Sequence, residues 1–137
     1  MTNPTKLFVY GTLIDLAAQR MQGTILGRMF DCGWFPGVVL RNQARHNNVA
    51  FSKEYEIHGE IMENISTDRL THFDLYEGYS VNNSERSLYV RQRVRIQIEN
   101  KDEIDCWIYL FNQSLIGMSE VTSGDWNTYK TSEKSYE

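Results

Sequence analysis

Residues 88–98 and 104–111 restrict the fold more than any other part of the chain. Over residues 88–98 apolar and polar side chains alternate, which is the period of a β-strand with one buried face. Residues 104–111 form a second apolar run, and the polar stretch 99–103 between the two is typical of a hairpin loop. Aromatic residues make up 12% of the chain and are well spread along it, which favours a packed β-rich core rather than a helical bundle.

Other segments add short elements to this hairpin. Residues 7–10 are an apolar run that predicts a first strand, ended by Gly11, and residues 57–61 alternate as a half-buried strand does. The apolar spacing over residues 13–21 predicts two turns of helix. Glycines and a proline interrupt residues 24–40, which predicts short strands separated by tight turns. Together these elements predict an α+β fold with a mixed or antiparallel sheet.

A second helix is predicted between Ser66 and Gly78. Ser66 has the chemistry of a helix N-cap, and Gly78 is a typical residue just past a helix end. Leu70, Phe73 and Glu77 follow at positions i, i+3 and i+7, so they share one face. We expect that face to turn inward, although a helix ending at Gly78 could also leave Glu77 in water.

Composition and charge narrow the class of protein. The 137 residues are 41% hydrophobic and 23% charged, as in an ordinary globular protein, and predict one domain over residues 1–137. No apolar run approaches the roughly 20 residues of a membrane span, and the polar first six residues do not resemble a signal peptide, which predicts a cytoplasmic protein with no membrane partner. The net charge of −4 argues against a nucleic-acid partner.

Glu77 is the first candidate for chemistry. Burial on an apolar helix face raises the pKa of a carboxyl group, and the negative end of the helix dipole acts in the same direction. Both effects would make Glu77 a general acid or base near neutral pH.

The segment from Tyr10 through Gly11 and Thr12 to Leu13 is the second candidate. A glycine between a strand and a helix start lets backbone N–H groups converge on an anion or a developing oxyanion. The lysine and second glycine of a phosphate loop are absent, so an ordinary strand-to-helix turn remains the alternative.

The remaining reactive residue types give weaker signals. Arg91, Arg93 and Arg95 lie on one side of the predicted strand and could bind an acidic ligand or RNA, but such a stripe is more often a solvated face. The histidines and the two cysteines, Cys32 and Cys106, have no metal-ligand spacing, so no metal site is predicted and both cysteines are expected to be reduced core residues.

Six short motifs follow one another along the chain. They are Leu7-Phe8-Val9-Tyr10-Gly11-Thr12-Leu13, Gly33-Trp34-Phe35-Pro36-Gly37-Val38-Val39, His58-Gly59-Glu60-Ile61, Phe73-Asp74-Leu75-Tyr76-Glu77-Gly78-Tyr79, Leu88-Tyr89-Val90-Arg91 and Ser123-Gly124-Asp125-Trp126. In this order they resemble the γ-glutamylcyclotransferase-like proteins, which include cyclotransferases acting on γ-glutamylamines and the plant avirulence-induced proteins. The resemblance covers about residues 6–129 and leaves a polar C-terminal tail. Phe73 stands where the family usually has leucine.

The resemblance implies a small mixed β-barrel flanked by short helices. It also implies a reaction in which the α-amine of a γ-glutamyl group attacks its own γ-carbonyl, releasing an amine and 5-oxoproline without a cofactor. Glu77 would be the catalytic acid and base. The segment from Tyr10 to Leu13 would bind the small-molecule substrate, and the backbone N–H groups of Gly11, Thr12 and Leu13 would hold it and stabilise the oxyanion.

Two further residues and one alternative function belong to this interpretation. By resemblance, Tyr89 would line the cavity and Arg91 would pair with a carboxylate, and for both residues a role in the fold is an equal alternative. Because fold alone does not fix function, a non-catalytic domain that binds a small acidic ligand or a protein partner in the same cavity is the alternative to the enzyme.

Overall fold

The computed structural model describes residues 3–11, 20–43, 47 and 49–134. Within these residues the strands are β1 (Leu7–Val9), β2 (Met21–Asp31), β3 (Pro36–Val39), β4 (Tyr55–Met62), β5 (Tyr89–Ile98), β6 (Glu103–Phe111) and β7 (Ser119–Glu120). The α-helices of the same residues are α1 (Thr67–Tyr76) and α2 (Trp126–Lys134), and short 3-10 turns lie at Arg41–Gln43 and Val81–Arg86.

Five of the strands close into a barrel in the order β2, β4, β1, β6, β5. The closing contact is short, since β5 returns to β2 only through the pairs Gly23–Ile98 and Thr24–Gln97. The pair of β1 and β6 is parallel and the other pairs are antiparallel. Strands β3 and β7 extend the sheet from the C-terminal part of β2. The predicted fold class, α+β with a small mixed β-barrel, is confirmed.

Strand β1 passes through the centre of the molecule and is buried on both faces. Phe8 belongs to the cluster that fills the barrel, while Leu7 and Val9 belong to a second cluster outside it. A strand with two buried faces has no polar alternation, which explains the continuous apolar run in this part of the sequence. As a result the residues that follow β1 begin inside the protein, with Tyr10 only 6% exposed.

The predicted hairpin and the predicted second helix are both present. Strands β5 and β6 pair from Tyr89–Phe111 to Gln97–Glu103 around the expected loop. Helix α1 begins after Ser66, whose hydroxyl accepts a hydrogen bond from the Arg69 amide at 3.2 Å. Past its end, Gly78 has φ of +68°, a left-handed conformation that favours glycine.

One prediction falls mostly outside the described residues, and two others differ from the structure. Residues 12–19, which hold most of the predicted first helix, lie outside the described residues, and Met21 begins a strand instead. Gly27 does not break the chain: it lies within β2, where a Cβ would be 2.8 Å from the Val39 carbonyl oxygen, so the glycine allows a close strand approach. Glu60 should face solvent by alternation, but it is 3% exposed and ion-paired with Arg20 at 2.9 Å.

Helix α2 was not predicted either, since its sequence is polar apart from Trp126 and Tyr129. Their rings stack at 5.6 Å between centroids, and Trp126 belongs to the cluster that fills the barrel. No helix of the described residues is long and apolar enough to cross a membrane.

Candidate active site

A narrow cavity opens where the end of β1 meets the end of α1. The described residues that line it are Phe8, Val9, Tyr10, Gly11, Phe35, Pro36, Glu77, Tyr89 and Tyr109. They come from β1 and the two residues after it, from the β2–β3 connection and the first residue of β3, from the end of α1, and from β5 and β6. The fold therefore brings together four of the residues singled out in the sequence: Tyr10, Gly11, Glu77 and Tyr89.

Glu77 is the acidic group of this cavity. It caps the C-terminal end of α1 on the half-buried face that also carries Leu70 and Phe73, as the helix periodicity predicts. Burial raises the pKa of its carboxyl group from about 4.5 to about 7. At neutral pH the group therefore exchanges readily between its acid and its base form, which is the property required of a general acid and base.

Three tyrosines form the polar part of the wall. The Tyr10 hydroxyl donates to the backbone carbonyl of Tyr109, the Tyr89 hydroxyl to that of Pro36, and the Tyr109 hydroxyl to Asp74. Burial raises the pKa of all three hydroxyls, and the nearby Glu77 carboxylate raises it further. The tyrosines thus stay neutral at physiological pH, and Glu77 alone among these cavity-lining groups changes its charge there.

Gly11 is required by space at this point of the chain. A Cβ at this position would lie 2.7 Å from Cγ and 2.9 Å from Cδ of Pro36. The glycine therefore lets the chain just past β1 lie directly against the start of β3. The next two residues of the predicted binding segment, Thr12 and Leu13, lie outside the described residues.

Arg91 is not among the described residues that line the cavity. Its guanidinium group is paired with Asp74 of α1, with Nε–Oδ1 at 2.9 Å, and lies over the Trp107 ring at 4.3 Å. The expected pairing with a carboxylate is thus made within the protein. Arg93 pairs with Asp105 across the β5–β6 hairpin, and Arg95 is exposed.

Five of the described lining residues were not predicted as site residues: Phe8, Val9, Phe35, Pro36 and Tyr109. Tyr109 lies in an apolar run that predicts a core strand, and its hydroxyl group is the one feature that indicates a polar role. Phe35 and Pro36, which follow exposed Trp34, line the cavity because the start of β3 lies against the residues that follow β1. That contact joins residues far apart in the sequence, so local patterns do not reveal it.

No group of three His, Cys, Asp or Glu side chains in the described part of the chain is arranged as metal ligands would be. Cys32, half-buried, and Cys106, in the barrel core, are both unpaired.

Comparison with known families gives one result. A family model described as gamma-glutamyl cyclotransferase, AIG2-like, matches residues 7–128. No curated protein and no solved structure matches the chain. The matched range contains every element that builds the cavity.

Proposed function

The chain belongs to the AIG2-like gamma-glutamyl cyclotransferase family, and we propose that it cyclises the γ-glutamyl group of a γ-glutamylamine or a related donor to 5-oxoproline. The observation that supports this most directly is Glu77. A carboxyl group with a pKa near 7 faces the Tyr10–Gly11 end of β1 across one cavity. The cavity thus has a proton acceptor on one side and, at Gly11 on the other, a stretch of backbone that a substrate can approach closely.

The proposed reaction needs little from the protein. The α-nitrogen of the γ-glutamyl group forms a bond to its own γ-carbon, and the bond from that carbon to the leaving nitrogen breaks. The nucleophile belongs to the substrate, and closure of a five-membered ring supplies proximity without a second reactant. The enzyme has to hold the donor in a folded conformation, move protons and stabilise one oxyanion.

Glu77 is proposed to carry both protons that the reaction transfers. The α-ammonium group loses one proton before it attacks and another from the tetrahedral intermediate. The leaving nitrogen gains one proton, which allows its bond to the γ-carbon to break, and the released amine takes up the second proton to become an ammonium ion. A carboxyl group whose pKa is about 7 can accept from the first nitrogen and donate to the second, because both of its forms are populated at neutral pH.

The substrate contacts are proposed at the opposite wall. The backbone N–H groups of Gly11, Thr12 and Leu13 would stabilise the oxyanion and hold the donor. Tyr10 and Tyr89 already donate their hydroxyl protons to carbonyl groups, so toward the substrate they offer oxygen lone pairs and ring faces. Arg91 is left out of this set because its guanidinium group is occupied by Asp74.

A panel of donors tests the proposal. γ-Glutamylamines, γ-glutamyl-lysine and γ-glutamyl amino acids would each be incubated with the protein and assayed for released amine and for 5-oxoproline. We expect turnover of at least one donor, and a fall in kcat of at least about 10²-fold for Glu77→Gln, the usual loss for a general acid–base group. Glu63→Gln makes the same chemical change at an exposed residue beyond β4 and should leave kcat unchanged.

The pH dependence gives a further check. The basic form of Glu77 starts the reaction, so kcat/KM should rise with pH through an apparent pKa of about 7, and Glu77→Gln should abolish that step. Turnover by Glu77→Gln within a few-fold of wild type would remove Glu77 from the mechanism. No turnover of any donor by the wild-type protein would favour the non-catalytic binding domain instead.

A further inference from the structure

Helix α1 is held to the barrel by few apolar contacts, although it carries Glu77. Every side chain of α1 is at least partly exposed, and Leu75 and Tyr76 at its C-terminal end are 74% and 66% exposed. Leu70 and Phe73 only pack against the edge of the core. A helix with so little buried apolar surface gains little positional precision from packing, so another interaction has to fix its end.

Asp74 provides that interaction. It lies three residues before Glu77 and therefore on the same side of the helix. Its carboxylate accepts two hydrogen bonds from Arg91 of β5, at 2.9 and 3.2 Å, and one from the Tyr109 hydroxyl of β6 at 2.5 Å. The Asp74 and Arg91 side chains are each only 15% exposed, and the Trp107 ring supports the guanidinium plane. Such a bidentate, charge-assisted contact fixes the orientation of α1 relative to β5 as well as their distance.

Tyr109 extends the contact to the other half of the cavity. Its hydroxyl group binds Asp74 on α1, while its backbone carbonyl accepts the hydrogen bond from Tyr10 at the end of β1. One residue of β6 is thus bonded to the helix that carries Glu77 and to the segment that precedes Gly11. Tyr109 also lines the cavity between them.

We infer that Asp74 and Tyr109 are positioning residues, which together with Arg91 hold Glu77 at a fixed distance from the Tyr10–Gly11 segment. The inference rests on the proposed function for its kinetic consequence. Its effect on the pKa of Glu77 does not depend on the reaction, because the position of Glu77 also determines how far its carboxyl group is shielded from water.

Tyr109→Phe is the sharpest variant. It removes one hydroxyl group and keeps the ring, the backbone carbonyl and every charge. If the contact positions Glu77, the end of α1 should gain freedom, and a misplaced proton carrier should lower kcat by about 10- to 100-fold. KM should change by no more than a few-fold, since the proposed substrate contacts of Gly11 and Tyr89 remain. Asp74→Asn, which weakens the same contact at nearly constant volume, should act similarly.

A double variant tests whether the two residues act as one unit. Combined, Tyr109→Phe and Asp74→Asn should reduce kcat by much less than the product of their separate effects, because both changes break one contact. The matched control is Arg93–Asp105, which is also an ion pair between arginine and aspartate, but joins β5 to β6 rather than to α1 and is more exposed, at 38% and 29%. Asp105→Asn should leave kcat within about two-fold of wild type.

The titration of Glu77 gives a readout independent of turnover. Among the described residues, the titratable groups that line the cavity with Glu77 are the hydroxyls of Tyr10, Tyr89 and Tyr109, which are neutral over the relevant pH range. A protein labelled with ¹³C at the glutamate carboxyl carbon would be titrated by NMR, and the resonance of Glu77 assigned by its loss in Glu77→Gln. We expect a pKa of about 7 in the wild type and in Asp105→Asn, and a lower value in Tyr109→Phe as Glu77 becomes hydrated.

The outcomes separate the two hypotheses. A wild type without turnover contradicts the proposed function, but a lowered Glu77 pKa in Tyr109→Phe still supports the positioning role. Turnover by the wild type together with an unchanged kcat and an unchanged Glu77 titration in Tyr109→Phe overturns it. An equal effect of Asp105→Asn overturns it too, since the change would then be a general loosening of the hairpin. If Tyr109→Phe does not fold, Asp74→Asn decides between the same outcomes.

Discussion

The residues of the cavity have different roles in the proposed reaction. Glu77 is the group that titrates near neutral pH, whereas Tyr10, Tyr89 and Tyr109 are fixed by hydrogen bonds to the protein and keep their protons. Catalysis by one mobile proton carrier is sufficient when the nucleophile and the electrophile belong to the same substrate molecule. The remaining residues then act through shape, and small steric changes among them should have large effects.

Gly11 offers the clearest steric test. In Gly11→Val the new side chain would meet the rigid ring of Pro36, whose carbonyl group accepts the hydrogen bond from Tyr89. The end of β1 and the wall of the cavity cannot both keep their positions. We expect kcat/KM to fall by at least about tenfold, as is common for displacements of this order in a reacting site. The measurement is the rate of 5-oxoproline formation at several donor concentrations.

A second variant separates two reasons for the glycine. Gly11→Ala would be measured alone and in combination with Pro36→Ala, which removes the ring that the new Cβ would meet. If the clash is the cause, the double variant should be more active than Gly11→Ala alone. If substrate itself needs the empty space above Gly11, the double variant stays inactive. Wild-type kcat/KM in Gly11→Val would mean that Gly11 belongs to an ordinary turn.

Among individual residues, the sequence predicts Glu77 well and its partners poorly. Helix periodicity depends on neighbours within two turns, so Glu77 could be placed on the inner face without knowing the fold. Asp74, Arg91 and Tyr109 come from α1, β5 and β6, and their contact depends on how those elements pack. The pairing of Arg91 with Asp74 rather than with a ligand carboxylate is likewise a property of packing.

At the scale of elements, strand β5 combines two environments. Its first half carries Tyr89 and Arg91 toward the cavity and α1, while Arg93 and Arg95 in the second half are exposed. The change occurs because α1 covers only the part of β5 nearest the cavity. The arginine stripe of the sequence is therefore not one surface but a positioning group followed by a solvated face.

Charge reversal tests that division. Arg93→Glu and Arg95→Glu should leave kcat within about two-fold of wild type, and should move the melting temperature by no more than about 3 °C, as exposed substitutions on a domain of this size usually do. Donor turnover and thermal unfolding would be measured on the same preparations. A large loss of activity in a folded Arg95→Glu protein would instead assign the exposed half of β5 to substrate binding.

Elements formed by local signals were predictable, and those formed by distant ones were not. The β5–β6 hairpin and the ends of α1 follow from alternation and capping residues in short segments. Strand β2 was not foreseen as one element because Gly27, a usual strand breaker, is retained there for close contact with Val39. Helix α2 was not predicted because its sequence is largely polar, and nothing in that sequence indicates that Trp126 lies in the core.

At the scale of the whole molecule, closure of the barrel was implied by family resemblance and not by any local pattern. The parallel pair of β1 and β6 joins strands about 100 residues apart, and only one residue pair defines its register, Leu7–Trp107. Sequence periodicity carries no information on such pairing. Closure nevertheless determines the site, since it brings the end of β1 between β6 and α1.

Two glutamates make the stability of the molecule depend on pH in opposite directions. Glu77 has a raised pKa of about 7 in the folded protein. Glu120 of β7 accepts two hydrogen bonds from Arg28 and one from Tyr55, which lower its pKa to about 2. The ordinary value for both is about 4.5. Glu77 thus weakens the fold when it ionises, whereas Glu120 weakens it when it is protonated.

The free energy of unfolding should therefore have two separable limbs. Between pH 4.5 and about 7 the folded protein binds the extra proton on Glu77, so stability falls as pH rises through this range. Between pH 4.5 and about 2 Glu120 is protonated in the unfolded chain but still ionised in the folded protein, so the free energy of unfolding falls as pH decreases. Since each pKa unit corresponds to about 1.4 kcal/mol and both groups move by between two and three units, neither limb should exceed about 4 kcal/mol.

Single variants should remove one limb each. In Glu77→Gln the decline from pH 5 to pH 8 should disappear, which makes the variant more stable than wild type at pH 8 and about equal at pH 5. In Glu120→Gln the protein should be less stable at pH 7, because Arg28 loses its charged partner, and its stability should change less between pH 4.5 and pH 3. Urea unfolding at intervals from pH 3 to pH 8 measures both, with Glu63→Gln as the exposed control, expected to follow wild type throughout. A Glu77→Gln curve parallel to wild type above pH 5 would show that the Glu77 carboxylate is hydrated in the folded protein, and the acid–base role argued from its burial would lose its physical basis.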